Sequence, residues 1–410
     1  MQGLHLIADL HGCAAGPLLE QAGALQPLCR RIVEDAGLTI VGELFHAFPV
    51  VEPGRPTGLT GTLLLAESHV AVHTWPERAA VTLDVYVCNL GKDNSAAAEA
   101  VVEALSRAFA PARCELQRIQ RGRTDALVTE LEWLTPSAVF GMQRGPLLFD
   151  ERTAFQQVRV FDTPQFGRVL KVDQRFMTSE ADDFFYHEAL VHPAAIAHPS
   201  PRRVLIAGGG DGGAAREVLR HAGIEQVVVA ELDEAVVRAS ARLMPTIHGG
   251  AFDDTRVQCR IGDALQTIAQ AQRTGERFDL LLFDLTDPDT PASALYSEAA
   301  FAGASDCLAD QGVFVVHLGS PTYHLETVVQ LVERLRRRFL HVDIYGVYVP
   351  LYGCYWMMAA ASHTTSVAAL GLVEATRRSR ERGLDDCRFW SPAQNGALFV
   401  LPAFVERALR

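Results

Sequence analysis

The residues best suited to chemistry fall into two sets. In the second half of the chain, Leu205–Gly213 reads LIAGGGDGG, directly after a strand-forming run and at the opening of a helical pattern. Glycines at such a turn let a ligand approach the backbone closely. The turn alone fits dinucleotide enzymes and methyltransferases alike, and two acids sharpen it. Glu231 ends the next apolar run (VVVAELD), where a carboxylate can hold a ribose diol. Asp263 ends the third (RIGDA), beside the place of an adenine-like ring. This layout favours an S-adenosyl nucleoside over a dinucleotide. Asp284 and Asp287, in DLTDP after the fourth run, put two carboxylates at the crevice where open sheets bind ligands. Methyl transfer does not need such a pair. A diamine does, because ammonium groups seek charged acceptors and one amine must lose its proton to a base before it attacks. The bland alternative is that these aspartates cap helices.

The first set is Glu67-Ser68, His73 and Cys88. A serine hydroxyl that attacks the carbonyl just before it can turn the peptide bond into an ester. Elimination then cuts the chain, and the new amino terminus hydrolyses to a ketone. That ketone would serve as an electron sink for loss of carbon dioxide from an amine substrate. Such chemistry needs a polar group to orient the hydroxyl, for which His73 stands five residues on. It also needs an acid to reprotonate the carbanion, for which the thiol of Cys88 is a candidate. Taken singly, all three are ordinary strand residues.

These residues must be held by regular elements. Over residues 1–125, GLHLIADLHG, TIVGELFHAF, TGTLLLAESHVAVHTW and AVTLDVYVCN read as strands, and Pro17–Gly37 and Ser95–Phe109 carry apolar residues at helical spacing. The expectation is a two-layer α/β sandwich. Arg121–Gln143 shows no clear period, and residues 126–145 are expected to be a linker. PLLFDERT, FQQVRVFDT and GRVLKVDQ predict a small antiparallel β subdomain over 146–200. From 201 to 410, RVLIAGGG, QVVVAELD, RVQCRIGD, FDLLLFDL and GVFVVHLG are near-continuous apolar runs separated by helical segments. They predict a Rossmann-like, methyltransferase-type doubly wound α/β sheet buried on both faces.

Composition narrows the class. A chain of 410 residues with 49% hydrophobic and 21% charged residues is globular with ample core. The formal net charge of −12 argues against a nucleic-acid partner and suits a cationic ligand. Eight cysteines without a C-x-x-C pair or zinc spacing read as reduced thiols of a cytoplasmic protein. No signal peptide or membrane span is expected, and no metal.

The first 125 residues resemble the bacterial, pyruvoyl-dependent S-adenosylmethionine decarboxylases. The likeness rests on GLHLIADLHGC, FHAF at 45–48, Glu67-Ser68-His69, His73-Thr74-Trp75-Pro76-Glu77, Asp84 with Cys88, and RGR-x-D at 121–125. It implies cleavage between Glu67 and Ser68, a pyruvoyl cofactor from Ser68, a processing role for His73 and proton donation by Cys88. It also implies stacking of Phe48 on adenine and ribose binding by Glu77. The chain departs from the family pattern in a longer turn, PVVEPGRPTGLTG, in Thr60 where serine is usual, and in YVCN around Cys88. These departures keep pyruvoyl enzymes acting on ornithine or arginine open as alternatives.

Residues 146–410 resemble the spermidine synthase family. The matching pieces are Phe155-Gln156, Asp182-Asp183-Phe184, Tyr186-His187-Glu188, GGGDGG at 208–213, Glu231-Leu232-Asp233, Gly262-Asp263, Asp284 to Pro288, Leu295-Tyr296, Tyr352 and the tail CRFWSPAQNGALFVLPAFV. The resemblance implies Asp284 as general base and Asp287, Tyr186 and Tyr352 around the amine. Gln156, His187, Asp211, Glu231 and Asp263 would hold the decarboxylated nucleoside. Met177 replaces a frequent glutamine, and PLYGCYWMM is a tighter loop than usual. Together the halves imply a bifunctional polyamine enzyme and a homo-oligomer.

Overall fold

The computed structural model describes residues 3–49, 56–89, 91–122, 128–288 and 290–410. The chain divides into two compact units, Met1–Ala126 and Leu127–Arg410.

The first unit is a six-stranded antiparallel sheet covered on one side by helices. Its strands are β1 (Gly3–His11), β2 (Ile40–Ala47), β3 (Leu59–Leu65), β4 (Ser68–Trp75), β5 (Ala80–Cys88) and β6 (Arg113–Arg121), in the order β2-β3-β4-β5-β1-β6. Strict alternation explains the layering. Leu4, Leu6, Ala8 and Leu10 of β1 and Val81, Leu83, Val85 and Val87 of β5 all point one way and are buried. The helices Ala22–Asp35 and Ser95–Phe109 meet them with Leu25, Cys29 and Val33 and with Val101, Leu105 and Phe109. The other face is open and carries exposed Leu44, Leu64, Trp75 and Ile119. Part of the long turn before β3 (50–55) and residues 123–125 of RGR-x-D lie outside the described residues.

The second unit begins with a correction. Residues 128–144, expected to be linker, form a hairpin of β7 (Val128–Thr135) and β8 (Ala138–Arg144). Its alternation is inverted: Glu130 and Glu132 are 8% and 7% exposed, while Leu131 and Trp133 are 40% and 56% exposed. A strand with carboxylates inside and apolar groups outside shows no hydrophobic period to read. The inward acids are matched by cations, Glu130 by Lys171, Arg159 and Arg144 and Glu132 by Arg175. The small antiparallel sheet follows as expected: β9 (Leu147–Arg152), β10 (Gln157–Thr163), β11 (Gly167–Val172) and an unforeseen β12 (Arg175–Ser179).

The main sheet contains β13 (Arg203–Gly208), β14 (Gln226–Glu231), β15 (Val257–Ile261), β16 (Phe278–Asp284), β17 (Leu308–Gly319), β18 (His341–Val349) and β19 (Cys354–Ser362). The order is β15-β14-β13-β16-β17-β19-β18, parallel from β15 through β17, with β19 antiparallel to both β17 and β18. Winding reverses between β13 and β16, which opens a crevice at their carboxyl ends. The glycine turn and Asp284 lie there, tied by the Gly209 N–H donating to the Asp284 carbonyl at 2.9 Å.

Candidate functional site

In the second unit the glycines leave room for carboxylates. A Cβ on Gly213 would sit 2.3 Å from the His187 ring, and one on Gly210 would sit 2.7 Å from a Glu231 oxygen. Gly208 and Gly209 have φ of +80° and +75°, a turn that other residues resist. The turn therefore lies flat between two side chains. Glu231 accepts the Gly210 N–H at 3.1 Å and the Asp233 N–H at 2.9 Å. Asp263 caps the helix Ala264–Thr274 through the Leu265 N–H and also lines the cavity, so the cap and ligand readings hold at once.

That cavity is about 220 Å³, and its wall includes Gln156, Tyr186, His187, Asp211, Glu231, Asp263, Asp284 and Tyr352. A second, of about 110 Å³, adjoins it and is lined by Asp287, Tyr186, Tyr352, His317 and Trp356 among others. The two meet at Met177, Tyr186, Leu285 and Tyr352. Every residue expected here from sequence is thus on one wall or the other. Tyr352 donates its hydroxyl to the Met177 carbonyl at 2.8 Å, which fixes its ring at the junction. It belongs to a tight turn, Pro350–Tyr352, anchored by the Leu351 N–H on Asp182 at 2.7 Å.

Charge is concentrated in the larger cavity. Burial and the neighbouring Asp211 carboxylate push the Asp284 carboxyl up to about 7, although the His187 cation and Tyr186 hydroxyl pull it down. Burial likewise pushes Glu231 up to about 7. Burial opposes a charge on His187, yet Asp211 at 3.3 Å and Asp183 at 3.5 Å hold its pKa well above the ordinary value. His187, Asp211 and Asp284 each bring one donor atom within 4.8 Å of the others. One cation within two carboxylates leaves net negative charge, which attracts an ammonium group or another cation.

Several site residues carry no sequence signal. His317 lies in the apolar run of β17, and its Nε2 is 2.6 Å from the Tyr296 hydroxyl and 3.0 Å from the Leu285 carbonyl. Tyr296 in turn donates to the Thr286 carbonyl at 2.9 Å. These bonds pin the segment between Asp284 and Asp287. Burial lowers the His317 pKa to about 4, so it serves as a neutral brace. Arg175 reaches Asp287 at 3.3 Å and Glu132 at 3.3 Å.

In the first unit the expected residues form two groups. Ser68 opens β4 with φ of 154°, a region costly for any residue with a Cβ. The carbonyl before it, on Glu67, accepts the Cys88 N–H at 2.8 Å. At the far end of β4, Phe48, His73 and Glu77 surround a separate recess, and Thr60 contacts the His73 ring at 2.7 Å. The hydroxyl of Thr60, where the resembled family usually has serine, is therefore in use. His73, expected to assist at Ser68, is five residues along the same strand, about 16 Å away at strand rise. At that distance His73 does not reach Ser68 within one chain.

Residues 183–369 match the spermine/spermidine synthase domain, 140–180 the spermidine synthase tetramerisation domain, and 4–122 the S-adenosylmethionine decarboxylase family. The polyamine aminopropyltransferase of Nitrosomonas europaea is 38% identical over 279 residues, covering 68% of this chain and 85% of that one. That of Aeropyrum pernix is 40% identical over 243 residues, covering 59% and 77%. Among solved structures, a spermidine synthase in complex with the transition-state analogue AdoDATO superposes with TM-score 0.64 at 27% identity, covering 70% of this chain and 98% of that one. The Thermotoga maritima spermidine synthase gives 0.64 at 26%, covering 70% and 97%.

Proposed function

Because the chain belongs to the polyamine aminopropyltransferase family and carries an S-adenosylmethionine decarboxylase domain ahead of it, we propose that it performs two consecutive steps of polyamine synthesis. The first domain decarboxylates S-adenosylmethionine. The second passes the aminopropyl group of the product to putrescine, releasing spermidine and methylthioadenosine.

The observation that carries the transfer reading is the pair of cavities meeting at Tyr186 and Tyr352, with Asp284 on the wall of the larger and hydrogen-bonded to Tyr186. The larger suits the nucleoside: Glu231 takes the ribose diol, Asp263 and Gln156 the base side, and Asp211 the aminopropyl ammonium. The smaller suits the acceptor, with Asp287 facing its far ammonium. The acceptor nitrogen attacks the carbon next to sulfur. A C–N bond forms as the C–S bond breaks, and the electron pair neutralises the sulfonium. Asp284 takes the amine proton, and a pKa near 7 matches that task. The rest of the catalysis is positioning.

The first domain suits formation of a pyruvoyl group. Backbone strain at Ser68 is relieved when the chain opens there. The Cys88 N–H polarises the Glu67 carbonyl that the Ser68 hydroxyl attacks. Once present, the group supplies an electron sink for decarboxylation. Cys88, next to the break in the sheet, then donates the proton that replaces carbon dioxide. The distance between Ser68 and His73 favours a site completed by a second copy, whose Phe48, His73 and Glu77 would face Ser68. The open, partly apolar sheet face suits such pairing. Eight unpaired thiols suit a cytoplasmic enzyme.

Denaturing electrophoresis and mass spectrometry test processing. Wild type should give fragments 1–67 and 68–410, and Ser68→Ala a single chain. Carbon dioxide release from labelled S-adenosylmethionine, ornithine and arginine tests the substrate. Release from ornithine or arginine alone would reassign the first domain as a source of the diamine.

A further inference from the structure

Beyond the acceptor cavity lies an outer recess of about 660 Å³, walled by Trp133, Thr135 and Pro136 of the hairpin. The two spaces share Leu134, Arg175, Tyr323 and His324, so the acceptor cavity adjoins this recess at these side chains. Arg175 stands across the junction. Its Nε lies 3.3 Å from Asp287, and its Nη1 lies 3.3 Å from Glu132 and 3.1 Å from the Trp133 carbonyl that it donates to. The side chain is 18% exposed, and the two acids 22% and 10%, so the network is largely withdrawn from water. Glu132 is held in turn by the Phe176 N–H at 2.6 Å.

A fixed guanidinium here has two effects on an amine. It occupies the passage from Asp287 toward the recess, and it carries the charge that every further ammonium of a longer amine carries. Like charges forced together in a partly desolvated site exclude the wrong ligand more strongly than missing contacts do. We propose that Arg175 sets acceptor length: it closes the cavity behind Asp287, confines the acceptor to a short α,ω-diamine, and rejects triamines that would otherwise extend into the outer recess. This rests on the aminopropyl-transfer reading of the same site.

The test uses the full-length protein with decarboxylated S-adenosylmethionine supplied, and compares kcat/KM for putrescine and for the triamine spermidine. Wild type should strongly prefer putrescine. Arg175→Ala should raise the spermidine-to-putrescine ratio by about tenfold or more, mainly through a lower KM for spermidine. Arg175→Gln, which keeps a donor for the Trp133 carbonyl, should raise it less, and carries the test should the alanine variant fail to fold. Arg175→Lys, which keeps the charge, should stay closer to wild type than either. A ratio that stays within twofold in both uncharged variants overturns the proposal, as does a wild type that uses both amines equally. Absence of transfer to any amine by wild type would instead remove the transfer reading itself.

Discussion

Asp284→Asn is the sharpest perturbation of the transferase site. Asparagine keeps the shape of the side chain and leaves the Gly209 N–H on the residue-284 carbonyl in place, but it cannot accept the amine proton. Loss of a general base costs on the order of 10²–10⁴-fold, or about 3–5 kcal/mol of barrier. The carboxyl is raised to about 7, so the sign of the pH effect follows directly. The ionised form is the active one, and kcat/KM for the acceptor should climb as pH rises through 7. At pH 6 it should be about a tenth of its plateau above pH 8. Glu231 is raised into the same range, but it would hold the donor, so its titration belongs in the donor KM. The assay is kcat/KM for the acceptor, read as methylthioadenosine release at saturating donor, between pH 5.5 and 9. In the asparagine variant the climb near pH 7 should vanish along with the rate. A variant that keeps more than a third of wild-type kcat/KM, or that still climbs near pH 7, would refute the assignment of Asp284 as the base.

Glu188 is buried and its carboxylate accepts the N–H groups of Arg388, Phe389 and Trp390 at 2.7–2.9 Å. Glu188→Ala should cost roughly 3–5 kcal/mol in denaturant unfolding of the full chain, and a loss below about 1 kcal/mol would mean that water or relaxation replaces the acceptor. Gly213→Ala would drive a methyl group into the His187 ring. Donor kcat/KM should fall by about ten- to a hundredfold through displacement of His187 and Asp211, whereas an unchanged donor KM would show that the turn has slack.

Much of the site was legible because its parts are short and local. GGGDGG sits where one strand passes into a helix, and Glu231, Asp263 and Asp284 each end an apolar run, so counting strands places them in one crevice. The hairpin 128–144 was not legible, because its buried residues are acids whose partners Lys171 and Arg175 lie some 40 residues away. The brace at His317 was hidden for a related reason: a histidine in an apolar strand reads as core until Tyr296 and the Leu285 carbonyl are seen beside it.

The sequence by itself determined the two families, the two-layer and doubly wound α/β folds, and the chemistry expected of Ser68, Cys88 and Asp284. These follow from residue type and from periodicities of 2 and 3.6, which any stretch of chain carries locally. Tertiary structure decided what stands next to what. Strand rise put His73 about 16 Å from Ser68 although both lie in one motif. Strand pairing brought the Cys88 N–H onto the Glu67 carbonyl. Packing of the hairpin against β12 laid Arg175 across the end of the smaller cavity. Distances across a sheet depend on register and pairing between segments far apart in sequence, and no local pattern encodes them.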